Sequence, residues 1–397
     1  MLVKNDLHLT YCTNIHPGQD WESTFNSIQV HVPVIKNKVS ATKPFGLGLR
    51  LSNKASEELE NGNNMALFQE WLYKNEVYVF TMNGFPYGNF HDERVKDLVH
   101  APDWTTNERV IYTKRMFKQL SVLLPNGLNG GISTSPITYK YWHKTDEDTV
   151  KAFETGAKHM IQIADYLLEL EKTTGKYMHL DIEPEPDGLL ENSDEVLHFF
   201  STYLLPVGIP FFKNKLGLSE TEAELLIKRY ITVCYDICHF SLAFEEPKDT
   251  FAKFKDQQIR IGKIQVSAAL KILFDGENDE SIWNELSKFN EPTYLHQVTE
   301  KIGDAVHTYS DLPEVLEKRA KHTELRAHYH VPLFLEKYGS LHSTQDHIIK
   351  ALNYIKDTPV TEHLEIETYT WDVLPLDLKQ DLSVSIIREI EWLISRL

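Results

Sequence analysis

Cysteine is scarce in this sequence. Only Cys12, Cys234 and Cys238 occur in 397 residues, which is not a disulfide framework and fits a reducing compartment. Cys234 and Cys238 share one apolar run, "ITVCYDICHF", which favours buried thiols over a zinc knuckle. Positive charge is also in deficit: 41 Lys and Arg stand against 58 Asp and Glu, a formal net charge of −17 with histidine neutral. That field repels phosphate backbones and makes nucleic acid a poor partner. No window of about 18 apolar residues is evident, and "MLVKNDLHLT" lacks a basic segment leading into an apolar one. Neither a membrane span nor a secretory leader is expected. No Pro/Ser-rich linker, low-complexity tract or fixed-period repeat divides the chain. A cytoplasmic protein acting on a small-molecule metabolite is the expectation; its oligomeric state is left open.

What is present is ordinary globular material, 42% hydrophobic and 25% charged, with 18 histidines that leave room for metal ligation. Short apolar runs alternate with helical patterns, the signature of βα units. The strand candidates are 8–15, 45–52, 77–85, 130–137, 177–184, 231–240, 263–270, 326–334 and 363–371. Helical spacing falls between them, as in "ALFQEWLYKN", "DTVKAFETGAKHMIQIADYLLELEKTTG", "AELLIKRY" and "STQDHIIKALNYI". Nine candidates are one too many for an eight-stranded barrel. The intruder is taken to be "RAHYHVPLF", a long loop or extra strand, and "HLEIETYTW" the closing strand. Residues 271–325 are long for one connection, so a partly structured insertion is expected there. The expected architecture is one (β/α)8 TIM barrel over residues 1–397.

In such a barrel the C-terminal ends of the strands open on one face and build the site. Here those ends carry acids and histidines. "YMHLDIEPEPDG" ends in Glu183 and Glu185, "YDICH" in Asp236 and His239, and "KIQV" carries Gln265. "HYH" supplies His328 and His330, and "LEIETY" supplies Glu365 and Glu367. Asp236 lies among apolar and aromatic residues, where a carboxylate is costly unless paired or bound. Glu185, after Pro184, reads as a solvent-exposed turn residue. Carboxylates and imidazoles together suit Mn²⁺, Zn²⁺, Fe²⁺ or Mg²⁺, and ligand type alone does not choose among them.

The ordered series, E then D-x-x-H then H-x-H then E, resembles the xylose isomerase-like TIM-barrel superfamily of sugar isomerases, ketose 3-epimerases and endonuclease IV-type repair enzymes. Within it the chain is similar to the EboE-type metabolite traffic proteins of the bacterial and algal ebo cluster. The stretches that carry the resemblance are "HLTYCTNIHPGQDW", "PFGLGLRLS", "YVFTMNGFPYGNFH", "LDIEPEPDG", "YDICHF" and "LEIETYTWDVLP", from residue 8 to 375. The resemblance implies Glu183 as first glutamate ligand, Asp236 and His239 as the D-x-x-H, and Glu367 as closing glutamate. His328 and His330 stand where endonuclease IV-type members have Asp-x-His. Three positions depart: Gln265 stands for a histidine, Asn83 for an early histidine ligand, and Ser133 or Thr134 for another. One metal or none is implied, with His16, His91 and His296 as substitutes.

The leading expectation is an isomerase or epimerase acting on a sugar- or polyol-like metabolite by proton abstraction next to a carbonyl. Glu183 and Glu367 are its catalytic carboxylates, placed on opposite sides of the ring. The metal set is Glu183, Asp236, His239, Gln265, His328, His330 and Glu367. Substrate contacts are expected from Asn83, Tyr87, Phe90, His91, Glu185 and Trp371. The alternatives are a non-catalytic metabolite carrier, its mouth lined by Tyr11, Phe85, Phe90, Tyr369 and Trp371, and a metal-dependent phosphoesterase.

Overall fold

The computed structural model describes residues 1–88, 96–372, 374 and 381–397. Strands β1 (His8–Tyr11), β2 (Phe45–Arg50), β3 (Val77–Asn83), β4 (Gly130–Thr134), β5 (Met178–Ile182), β6 (Ile231–Asp236) and β7 (Ile261–Val266) follow one another with helices between. Six further strands come next: β8 (Leu270–Leu273), β9 (Val298–Ile302), β10 (Ala305–Tyr309), β11 (Glu324–Ala327), β12 (Lys337–Tyr338) and β13 (Leu341–Ser343). Then β14 (His363–Ile366) completes the first set. The eight-stranded parallel sheet has the order β1-β14-β7-β6-β5-β4-β3-β2.

The ring nearly closes between β1 and β2. A Cys12–Gly48 bridge joins them. The Thr10 hydroxyl donates to Gly46 O at 2.8 Å and accepts from Gly48 N at 2.9 Å, so one side chain replaces part of the ladder. The strands are buried on both faces, as parallel sheets require. Residues such as Ile231, Val233 and Tyr235 are fully covered, each worth about 1.5–3 kcal/mol of burial for a large apolar side chain.

The fold expected from the sequence is borne out, insertion included. That insertion is a six-stranded antiparallel sheet, in the order β10-β9-β11-β8-β13-β12, and it extends past the expected 271–325 to Ser343. "RAHYHVPLF" is both things it was read as: its first two residues end β11 and the rest is irregular chain.

The expectation that no segment reaches membrane length is corrected. Ser193–Leu216 is one helix of 24 residues, apolar and long enough by length and composition alone to cross a bilayer, with 33% of its most apolar window buried. Its apolar character has a packing reason in the barrel's outer layer. At Gly208 an added Cβ would lie 2.4 Å from Ile161 Cδ1 and 2.6 Å from Ile227 Cδ1, so the helix approaches its neighbours Asp146–Thr174 and Glu220–Tyr230 closely.

Candidate metal centre

Glu183 follows β5, Asp236 ends β6 and Glu367 follows β14. One oxygen from each lies within 4.8 Å of the others, and all three residues are buried. Asp236 gains its position by capping the helix Ile237–Leu242: its Oδ1 accepts from His239 N at 3.1 Å and from Ser267 Oγ at 2.6 Å. Glu367 Oε1 accepts from the side-chain amides of Asn14 at 2.7 Å and Asn83 at 2.9 Å. Glu183 Oε2 and Asp236 Oδ2 are left with no hydrogen-bond partner.

Three carboxylates cannot all stay ionised in a dry space without a counter-charge. Burial, then the charge of Asp236, pushes the Glu183 pKa well above the usual range. Burial, then Glu183 and Asp236, does the same to Glu367. Asp236 goes the other way: burial raises its pKa, but His239, His330 and its hydrogen-bond donors outweigh that and hold it low.

The histidines are oriented by carbonyl oxygens, which can only accept. His239 Nδ1 meets Pro184 O at 2.9 Å, and His330 Nδ1 meets Glu367 O at 2.8 Å. His328 Nδ1 meets Gln297 Oε1 at 2.8 Å, while Gln297 Nε2 donates to Pro186 O at 3.1 Å and so fixes which end of the amide faces the ring. Each Nδ1 therefore carries a proton and each Nε2 is turned toward the site. His239 Nε2 and His328 Nε2 face each other at 3.1 Å, and His330 Nε2 has no partner. Asp236, His239 and His330 form a second group of donors within 4.8 Å, and Glu185, His239 and His328 a third. Orphaned carboxylate oxygens beside the unpartnered Nε2 of His330 fit a divalent cation.

The sheet register delivers two of these groups. In the antiparallel β9–β11 ladder Ala327 pairs with Val298. One step on, His328 N donates to Gln297 O at 2.8 Å. The inserted sheet thus runs into the barrel mouth.

Deeper in the barrel, Lys263 Nζ pairs with Glu365 Oε2 at 2.5 Å, both side chains fully buried, and donates to Ser133 Oγ at 3.0 Å. Glu365 therefore belongs to the barrel interior, and Glu367 to the rim. Gly48 leaves room for that carboxylate: an added Cβ would sit 1.9 Å from Glu365 Oε1. Ser133 is occupied by this lysine, and Thr134 Oγ1 accepts from Trp104 Nε1 at 3.0 Å. Asn83 holds the Glu367 carboxylate instead.

Several expectations are corrected. Gln265 Oε1, its one atom suited to a cation, accepts from the Cys234 thiol at 2.8 Å. Glu185 is buried, because Gln297 reaches over its turn to Pro186, and it pairs with His100 Nε2 at 2.8 Å. Glu183 and Glu367 do not stand on opposite sides of the ring: only β6 and β7 separate their strands. His296 has both ring nitrogens engaged, by His328 O and Glu291 Oε1. His16 Nε2 is bound to Tyr11 OH at 2.9 Å.

The described wall of the cavity above the carboxylates includes Asn83, Phe85, His100, Glu185, Tyr294, Gln297 and Tyr369, around a volume of about 50 Å³. Tyr87 is not part of it; its ring packs edge-on against Tyr112. Nor is Trp371, which lies beside Phe334, nor Tyr11. Phe90 and His91 fall outside the described residues. The sequence reading missed His100, at the end of the short 3-10 helix Lys96–His100, and Gln297, in irregular chain; neither lies in a motif. It also missed Lys263, for which a lysine inside an apolar strand was an available signal.

With the geometry in hand, the chain can be set against known proteins. A xylose isomerase-like TIM-barrel protein from Mycobacterium smegmatis, in complex with magnesium, aligns over 100% of this chain and 98% of its own, with 9% identity and a TM-score of 0.51. The chain has the xylose isomerase-like TIM-barrel fold. A D-tagatose 3-epimerase-like protein aligns over 98% of this chain and 97% of its own, with 10% identity and a TM-score of 0.50. No protein-family model and no curated protein matches the sequence.

Proposed function

We propose that this barrel is a divalent-cation-dependent isomerase or epimerase acting on a neutral sugar- or polyol-like metabolite. The observation that carries the reading is the convergence of Glu183, Asp236 and Glu367 within 4.8 Å, beside histidines whose Nδ1 protons are spent on carbonyls. Glu183, Asp236 and Glu367 would hold the ion, with His239 and His330 nearby. Bound there, a divalent ion would polarise a carbonyl and an adjacent hydroxyl. Support from a distance comes from the Mycobacterium smegmatis barrel with magnesium and the epimerase-like barrel, which share the fold.

The chain's own groups would do the rest. Glu183 or Glu367 takes the proton next to the carbonyl and returns it, the work of a positioned carboxylate. Asn14 and Asn83 fix Glu367 so that its second oxygen faces the site. Glu185, held by His100, lies where it can accept a substrate hydroxyl. Phe85, Tyr294 and Tyr369 keep water out.

One feature favours this over a phosphoesterase. Among the described residues lining the cavity, the one lysine or arginine, Lys96, is paired with Asp311 at 2.5 Å, which leaves no free cation for a phosphoester.

The test is elemental analysis of purified protein, followed by incubation of the Mn²⁺-loaded protein with a panel of ketoses and aldoses in deuterated water. Deuterium entering the carbon next to the carbonyl, seen by NMR, is expected for wild type. Glu183→Gln and Asp236→Asn should lose metal and slow exchange at least ~100-fold, in the range for losing general acid–base help. Fully loaded wild type that exchanges no proton of any panel member would overturn the reading.

A further inference from the structure

A second hollow adjoins the inner cavity on its outer side. It has a volume of about 410 Å³, its walls include Asp97, Tyr139 and Asp311, and it shares Lys96 and Leu295 with the inner wall. That size lies within the roughly 300–1,000 Å³ of small-molecule pockets. The two spaces meet across the two shared side chains. His100 links them as well: its Nε2 holds Glu185 at 2.8 Å on the inner side, and its ring centre lies 5.4 Å from that of Tyr139. The chemistry proposed above uses none of the outer groups.

The lining suits hydroxyl groups. Trp142 Nε1 donates to Asp97 Oδ2 at 2.9 Å, which steadies the carboxylate, and no described residue donates to its Oδ1. Tyr139 packs against Tyr141 and Trp142, with ring centres 5.5 and 5.7 Å apart, and its hydroxyl makes no hydrogen bond among the described residues. A held carboxylate oxygen beside an unpartnered phenol in an aromatic wall can take both the hydroxyl edge and the C–H face of a sugar ring. Asp311 Oδ1 accepts from His296 N and Leu312 N, both at 3.0 Å, and its Oδ2 holds Lys96. Lys96 is thereby fixed at the boundary, with N–H donors to spare for an oxygen joining two units. Two carboxylates against one lysine leave the hollow net negative and disfavour an anionic group. We propose that it is an outer sugar subsite. The substrate is then a sugar bearing a second, uncharged polyhydroxylated unit: the reacting unit lies over the carboxylates, the second on Tyr139 and Asp97. The proposal rests on the isomerase or epimerase reading of the inner site.

The test compares D-fructose with two disaccharides that keep a free ketose end, lactulose and isomaltulose, on the Mn²⁺-loaded full chain. Deuterium entry next to the carbonyl gives kcat and KM, and saturation-transfer NMR reports binding without turnover. At least one disaccharide should show a KM about 10–100-fold below that of fructose, the range for hydrogen bonds to a charged group. Asp97→Ala, checked for intact fold by circular dichroism, should raise the disaccharide KM by a similar factor and leave kcat unchanged, with Asp97→Asn recovering part of the loss. Tyr139→Phe should raise it at least ~2-fold. Fructose should respond to none of these variants. Exchange on fructose with no gain from either disaccharide, or variants that shift both sugars alike, overturns the outer subsite and leaves the inner reading standing. Disaccharide binding that falls in Asp97→Ala and Tyr139→Phe, with no exchange on any sugar, keeps the subsite and overturns the inner reading. Neither binding nor exchange overturns both.

Discussion

His239 Nε2 and His328 Nε2 face each other across 3.1 Å, and each ring already gives its other nitrogen's proton to a carbonyl oxygen. Two lone pairs at that distance need a positive charge between or beside them. For His328 the arrangement depends on Gln297, whose amide cannot turn over because Pro186 O holds its nitrogen end. Gln297→Leu should release the ring and weaken divalent-cation binding at the rim about 10–100-fold, the usual cost of losing a partner behind a ligand. Isothermal calorimetry would show it, and unchanged affinity would mean that the ring orientation does not matter.

The ion pair of Lys263 and Glu365 is buried on both sides, so breaking one half strands a charge. Lys263→Met should cost about 3–5 kcal/mol of stability in urea unfolding. Lys263→Met with Glu365→Gln should recover much of that loss. If the double variant is as unstable as the single one, packing and not the stranded charge is responsible.

Glu389, on the C-terminal helix Leu382–Arg396, is buried and accepts from Thr368 Oγ1 at 2.7 Å and Leu333 N at 3.2 Å. Burial raises its pKa from 4.5 to about 8. Between these values the folded chain keeps a proton that the unfolded chain has released. Its contribution to stability is therefore complete below about pH 4.5 and falls as pH rises to about 8, by roughly 4–5 kcal/mol in all. Glu389→Gln should flatten that slope when urea midpoints are compared across this range.

Gly48 stands where a methyl group would strike both Glu365 and the Tyr11 carbonyl, the latter at 2.7 Å. Gly48→Ala should lower stability by about 1–3 kcal/mol, the range for overpacking, measured by thermal unfolding. A neutral result would show that Glu365 can swing aside.

The parallel strands were legible because strands covered on both faces read as short apolar runs between helices. D-x-x-H was legible because Asp236 is a carboxylate inside such a run. The inserted sheet was harder to see. β10 is largely exposed, β12 has two residues, and neither shows a clean alternation. Glu185 misled because flanking prolines do mark a turn, but a distant segment covers it. Gln297 and His100 act through contacts with residues far away along the chain, Pro186 and Glu185, and local composition carries no trace of them.

The continuation of the β9–β11 ladder into the rim has a thermodynamic corollary. Since Gln297 and His328 carry the added sheet into the rim where the proposed cation would sit, fraying of that sheet and release of the ion would become a single opening event. Backbone amides along β9 and β11 should then exchange with solvent more slowly in loaded than in stripped protein, and by a common factor, as a single cooperative unit would.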